Sequence, residues 1–165
     1  MVEKSVLKYI KEKYADAAIF ESSCFDKPGR QKCEIHLQNC KDYIILKGEE
    51  VRKISGSESN KVCDCMIIIT NKNRITHLVL VEIDEGKNKK PSHAREQLMG
   101  GFDLAKSILQ NDYNPIQGNY KKKYIFLYRK IKSHKLREFR ESDNYIDGKP
   151  IQLEQCNYAF DCTLY

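Results

Sequence analysis

Three carboxylates stand at the ends of two apolar runs. Asp64 lies in VCDCMIIIT (62–70), and Glu82 and Asp84 close HLVLVEID (77–84), with the basic segment EGKNKKP (85–91) directly after. Side chains alternate along a strand, so Glu82 and Asp84 share one face while Val81 and Ile83 take the other. Two acids at the end of a buried strand are costly unless they meet water, a cation or a metal. With Asp64 on the neighbouring strand, all three carboxylates reach one place. Magnesium takes oxygen ligands and keeps several waters, so two or three carboxylates are a natural partial shell for it. An ion held there polarises a phosphoryl oxygen and acidifies a bound water. Lys87, Lys89 and Lys90 follow within a few residues and are placed to hold a phosphate or help activate that water. The plain alternative is three strand-end acids, solvated or paired with lysines.

The elements that must position these groups follow from pattern. Val2, Val6, Tyr9, Ile10 and Tyr14 have helical spacing over 2–14. Residues 18–23 suit a short strand, and 26–29 with Pro28 suit a turn. CEIHL (33–37) and DYIILKG (42–48) read as strands, and 48–61 as a loop. Residues 62–70 and 76–84 form strands joined through the NKNR turn (71–74), hence antiparallel. A loop over 85–91 leads to a helix over 92–110, with Ser92 as N-cap and an apolar stripe through Ala94, Leu98, Gly101, Ala105 and Ile108. Residues 111–119 are loop, 122–130 a buried strand with basic ends, and SHKLREFRES a short helix. The last 20 residues are weakly patterned, with one strand near 158–164. The result is a single α/β domain over 1–165 with a central mixed β-sheet flanked by helices, its core at about 2–130 and a C-terminal extension at about 131–165.

The 165 residues suffice for one core. A net charge of +6 is compatible with a polyanionic partner. No run approaches the ~18 apolar residues of a membrane span, and MVEKSVLKYIKEK lacks the apolar centre of a signal peptide; the expectation is a cytoplasmic chain without membrane contact. Seven cysteines are an odd number for a disulfide framework, so most are expected as small buried apolar residues. Cys33, His36, Cys40, Cys63 and Cys65 are an alternative zinc set, although their spacing forms no second knuckle. Strand alternation puts Cys63 and Cys65 on one face, opposite Asp64.

The run from Asp64, through strand, turn and strand to Glu82-Ile83-Asp84, then a helix carrying Glu96-Gln97-Leu98, resembles the PD-(D/E)xK nuclease superfamily. The resemblance spans roughly 2–130, with the motifs confined to 62–97. It implies a restriction-endonuclease-like core (αβββαβ) and magnesium- or manganese-dependent cleavage of nucleic acid, mostly DNA. Asp64 matches the motif aspartate and Glu82 the acid of the second motif. Position 84 carries aspartate where the family has lysine. In relatives with a Glu-x-Asp motif the second acid joins the metal shell and the lysine role moves, here first to Lys87. A polar residue on the following helix often assists, which points to Gln97.

Lys89, Lys90 and His93 near the helix start, with Lys122 and Lys123, are the candidates for phosphate contact. Tyr120, Tyr124, Tyr128 and Phe139 are interleaved with the later basic residues. Three functions compete: a metal-dependent nuclease, more in keeping with a DNA endonuclease; a nuclease-like domain that binds nucleic acid or protein without cutting; and a zinc-stabilised interaction module. A chain this small is expected to cut with little sequence preference, or to act as a homodimer or with a partner subunit.

Overall fold

The apolar runs at 65–71 and 74–84 need cover on both faces, because consecutive residues of each are buried. The computed structural model supplies that cover with helices on one side and a second sheet on the other. It describes residues 6–25, 32–58, 61–72, 74–84, 89–109, 120–141 and 144–164; the Pro28 turn and the 111–119 loop lie outside these. In chain order the elements are α1 (Val6–Lys13), a 3-10 turn (Ala15–Ala17), β1 (Ala18–Ile19), β2 (Ser23–Phe25), β3 (Glu34–Gln38) and β4 (Asp42–Lys47). Next come α2 (Gly48–Ser55), β5 (Cys65–Asn71), β6 (Arg74–Asp84), α3 (Pro91–Ser107) and β7 (Lys121–Tyr128). The chain finishes with α4 (Ser133–Glu141), β8 (Tyr145–Ile146), β9 (Lys149–Gln155) and β10 (Tyr158–Asp161). No helix among the described residues is long and apolar enough to cross a membrane.

The protein is mixed α/β. Its central sheet has the order β1-β4-β5-β6-β7-β9-β8. Strands β4, β5 and β6 form an antiparallel meander, and α3 carries the chain from β6 to β7, which runs parallel to it. Strand β9 adds a further parallel neighbour to β7. Even-numbered residues of the central strands, such as Met66, Ile68, Leu78, Leu80 and Phe126, pack against α1, α3 and α4. Odd-numbered ones, such as Ile67, Val79, Val81 and Ile125, pack against a three-stranded sheet, β10-β3-β2.

Several expectations change. The stretch read as a loop after residue 48 begins with helix α2. Its signs are in the sequence: Glu49 and Glu50 in the first turn, Arg52 and Lys53 in the last, and Gly56 beyond the end with φ 68°. Helix α3 starts at Pro91, with Lys90 rather than Ser92 in the N-cap position and no side-chain cap. Proline suits the first helical position, since its missing N–H has no helical partner there. Within the C-terminal extension, β9 extends the central sheet and β10 pairs in parallel with β3.

The cysteines depart furthest from expectation. Disulfides join Cys24 to Cys65, Cys33 to Cys156 and Cys40 to Cys162, leaving Cys63 as a buried free thiol. The zinc set therefore does not assemble: Cys33, Cys40 and Cys65 are bonded elsewhere, and His36 pairs with Glu34. Cys63 and Cys65 also face opposite ways. Cys63 precedes β5 and packs in the helical core, whereas Cys65 points to the small sheet.

Candidate active site

Strand β6 delivers Glu82 and Asp84 to the helical face of the sheet, in line with Leu78 and Leu80. Both are shut away from solvent, Glu82 at 0% exposure and Asp84 at 2%. Asp64 stands one residue before β5, where the pairing of Cys65 with Val81 continues towards Glu82. The Asp64 carboxylate accepts a hydrogen bond from the Ile83 backbone N–H at 2.7 Å, and its carbonyl accepts one from the Gly48 N–H at 3.0 Å. Asp64 is thus tied to β6 on one side and to the start of α2 on the other.

Glu82 is the electrostatic centre of the site. Burial, and then the neighbouring Asp64 charge, push its carboxyl up to about 8, with Lys89 opposing. The Lys89 ammonium pairs with Glu82 Oε1. Among the described residues Glu82 Oε2 is buried and finds no hydrogen-bond partner, while the Asp64 backbone N–H acts with Lys89 to favour the charged form of the carboxyl. An unpartnered oxygen on a buried carboxylate is expensive, and it is the kind of atom a cation would satisfy.

Asp84 is tied to the segment that follows β6. Its Oδ2 accepts a hydrogen bond from the Lys89 backbone N–H at 2.8 Å, so it anchors the residue whose ammonium reaches Glu82. Aspartate at position 84 and lysine at position 89 together put a cation beside Glu82. Lys87 lies outside the described residues, so Lys89 is the described lysine that meets the carboxylate. Lys90 and His93 are exposed around the start of α3.

Three glycines let the segment before Asp64 lie against the helices. A Cβ on Gly48 would overlap the Cys63 carbonyl, one on Gly100 the Lys61 carbonyl, and one on Gly101 the Cys63 sulfur. Inside a helix each glycine costs about 1 kcal/mol relative to alanine, and here two in succession admit the backbone that positions Asp64. Gly100→Ala is expected to destabilise the fold by about 1–3 kcal/mol. Thermal unfolding should register this as a fall of roughly 2–4 °C per kcal/mol; an unchanged midpoint would show that segment 61–64 is not clamped. The buried Cys63 thiol, held protonated by burial and by Glu82 and Asp64, donates to the Cys65 carbonyl at 3.4 Å and so helps to shape the same segment.

Beside Asp64 opens a cleft of about 400 Å³, lined by Phe25, Lys47, Glu49, Glu50, Val62, Cys63, Asp64 and Gln97. Gln97 thus comes to the same cavity as the aspartate. Phe25, Lys47, Glu49 and Glu50 were not foreseen; Lys47 reaches the cleft because it ends β4 opposite Cys65. Lys122 and Lys123 do not join it. They pair with Leu78 and Val79, whereas Tyr128 pairs with Asp84. That sets Lys122 roughly 20 Å along the strand from the site end, where it binds Asp147 at 2.9 Å. Arg129 and Lys130, just past β7, are the basic residues at the site end; the Arg129 N–H donates to the Asp84 carbonyl at 3.3 Å. Tyr124 and Phe139 are buried, and Phe126 stacks on Phe139 at 4.7 Å, so those interleaved aromatics are packing.

Among the described residues no three His, Cys, Asp or Glu side chains gather as a ready-made metal cage. Asp64 and Glu82 are two carboxylates on adjacent strands, which suits an ion that keeps most of its waters. The chain matches no protein-family model, no characterised protein and no solved structure.

Proposed function

We propose that this protein is a metal-dependent nuclease of the PD-(D/E)xK kind, with a restriction-endonuclease-like core, that hydrolyses nucleic-acid phosphodiesters and acts on DNA. The observation that carries the reading is Glu82: a fully buried carboxyl group, one oxygen of which finds no partner among the described residues, next to Asp64 and in contact with Lys89. The antiparallel β4-β5-β6 followed by α3 and the parallel β7 also supports it, with α2 inserted between β4 and β5.

Glu82 and Asp64 would hold a magnesium or manganese ion, which when bound supplies a Lewis acid for the phosphoryl oxygen and lowers the pKa of a water. Lys89 places an ammonium at the same point, where negative charge grows as water adds to phosphorus and the leaving oxygen departs. Asp84 fixes Lys89 through its backbone. Gln97 offers a neutral donor from the cleft wall. Lys90, Arg129 and Lys130 supply phosphate contacts that orient the strand without reading sequence.

The test is cleavage of plasmid, linear, branched and single-stranded substrates with magnesium, manganese or EDTA. Metal-dependent cutting is expected, and Asp64→Asn should lower it by more than about 100-fold, the upper end of what loss of a group supporting a metal ligand costs. Folded protein that binds nucleic acid and cuts none of these substrates would overturn the proposal and leave a non-cutting nuclease-like domain.

A further inference from the structure

We propose that Phe25 is a stacking shelf for an unpaired nucleobase next to the scissile phosphate, so that the site takes single-stranded or locally unpaired DNA. This rests on the nuclease reading above and names its substrate class. Among the described residues Phe25 is the one aromatic that lines the cleft holding Asp64 and Gln97. Its ring is half-buried yet belongs to neither hydrophobic core, so packing does not account for it. Two ammonium groups stand over it instead, Lys32 at 4.5 Å and Lys47 at 5.4 Å from the ring centre, with Lys32 also 3.4 Å from Glu34; a base that stacks here takes their place on the ring, and the flexible ammonium groups turn to its phosphates.

The position of the ring is built in. Cys24 precedes Phe25 and Cys65 follows Asp64, and the disulfide between these cysteines brings their Cα atoms to 6.4 Å. Phe25 also pairs with Glu34 on β3, and Lys47 with Cys65 on β5. The shelf and the carboxylate are therefore covalently linked at neighbouring residues. The acids on the same wall are matched by cations, Glu49 by Arg52 and Glu50 by Lys53. An aromatic face flanked by lysines is how proteins hold single strands, because each base has a face to stack and each phosphate a charge to meet. A fully paired duplex keeps its bases inside the helix and cannot use such a shelf.

The test is binding of fluorescent oligodeoxynucleotides in EDTA, so that no cutting intervenes. The probes are a single strand, the matching duplex and a duplex with one unpaired central nucleotide. Single-stranded and bulged probes are expected to bind about tenfold more tightly than duplex. Phe25→Leu should remove that advantage, and Phe25→Tyr, which keeps the ring, should retain it. Equal affinity for single strand and duplex, or a Phe25→Leu protein that binds single strands like wild type, would overturn the proposal. The two readings fail separately. Metal-dependent cutting of single strands that survives Phe25→Leu unchanged removes the shelf and leaves the nuclease. Ring-dependent binding without any cutting supports the shelf and removes the nuclease.

Discussion

Glu82→Gln is expected to abolish metal-dependent cleavage and, in the same protein, to stabilise the fold at alkaline pH. The wild-type carboxyl is held up to about 8 in the folded state, against 4.5 for an unperturbed glutamate. Folding therefore takes up a proton in the window between those values. Stability from this group is full below about 4.5, declines as pH rises, and is lost once pH passes about 8. The difference corresponds to as much as about 5 kcal/mol. Glutamine fills the same space with no charge to desolvate, and it removes the repulsion from Asp64. Lys89 loses its anion, but its side chain is 21% exposed and its ammonium can turn to water.

Urea unfolding of metal-free wild type and Glu82→Gln, at several pH values from 5 to 9, reads the effect directly. The variant should gain on wild type progressively with pH, and the gap should level off above the folded value. A gap that is flat with pH, or one that favours wild type at pH 9, would show that Glu82 is not a destabilised carboxylate. A residue kept at a cost to stability is the pattern of a functional group rather than a structural one.

Much of this frame is legible in the residues themselves. Alternation in HLVLVEID sets Glu82 and Asp84 on one face, and the short NKNR connection brings the 62–70 run alongside. Both are local properties of strands, and β5 and β6 pair accordingly. Lys89 is harder to read. Its role depends on how the basic segment turns back, which is governed by its backbone N–H bonding to Asp84 and not by any spacing rule. Phe25 and Lys47 stand 39 and 17 residues before Asp64 in sequence and come to the cleft only through the pairing of β2 and β4 with other strands. Lys122 and Lys123 illustrate the opposite error. A run of charge looks like one patch, yet a strand carries its two ends far apart, and the run sits at the end away from the acids.

The disulfides were invisible for the same reason, and they carry the second large effect. Cys33–Cys156 and Cys40–Cys162 have separations of 123 and 122 residues, so no spacing motif announces them. They bracket the parallel pairing of β3 with β10, which runs from Ile35 with Tyr158 to Gln38 with Asp161. Either bridge alone closes essentially the same long loop. In the chain-entropy account the first closure is worth about 5 kcal/mol, whereas the second then closes only a ring of roughly 15 residues and adds about 3 kcal/mol. Replacing one pair by serine should therefore cost about 3 kcal/mol, whichever pair is chosen, and replacing both should cost about 8 kcal/mol, more than the sum of the two single losses. Denaturant unfolding of the two paired variants and the fourfold variant measures this. Strictly additive losses would mean that the bridges constrain independent parts of the unfolded chain, contrary to their shared loop. Free thiols at all four positions in the oxidised protein would remove the pairing itself. With an ordinary domain stability of about 5–15 kcal/mol, loss of both bridges is enough to unfold a chain at the lower end of that range. The β3–β10 layer that covers Val79, Val81 and Ile83 would then come away from beneath the strand that carries Glu82. Cleavage should consequently fail in the fourfold variant, and the loss should follow unfolding rather than precede it, since none of these four cysteines lines the cleft.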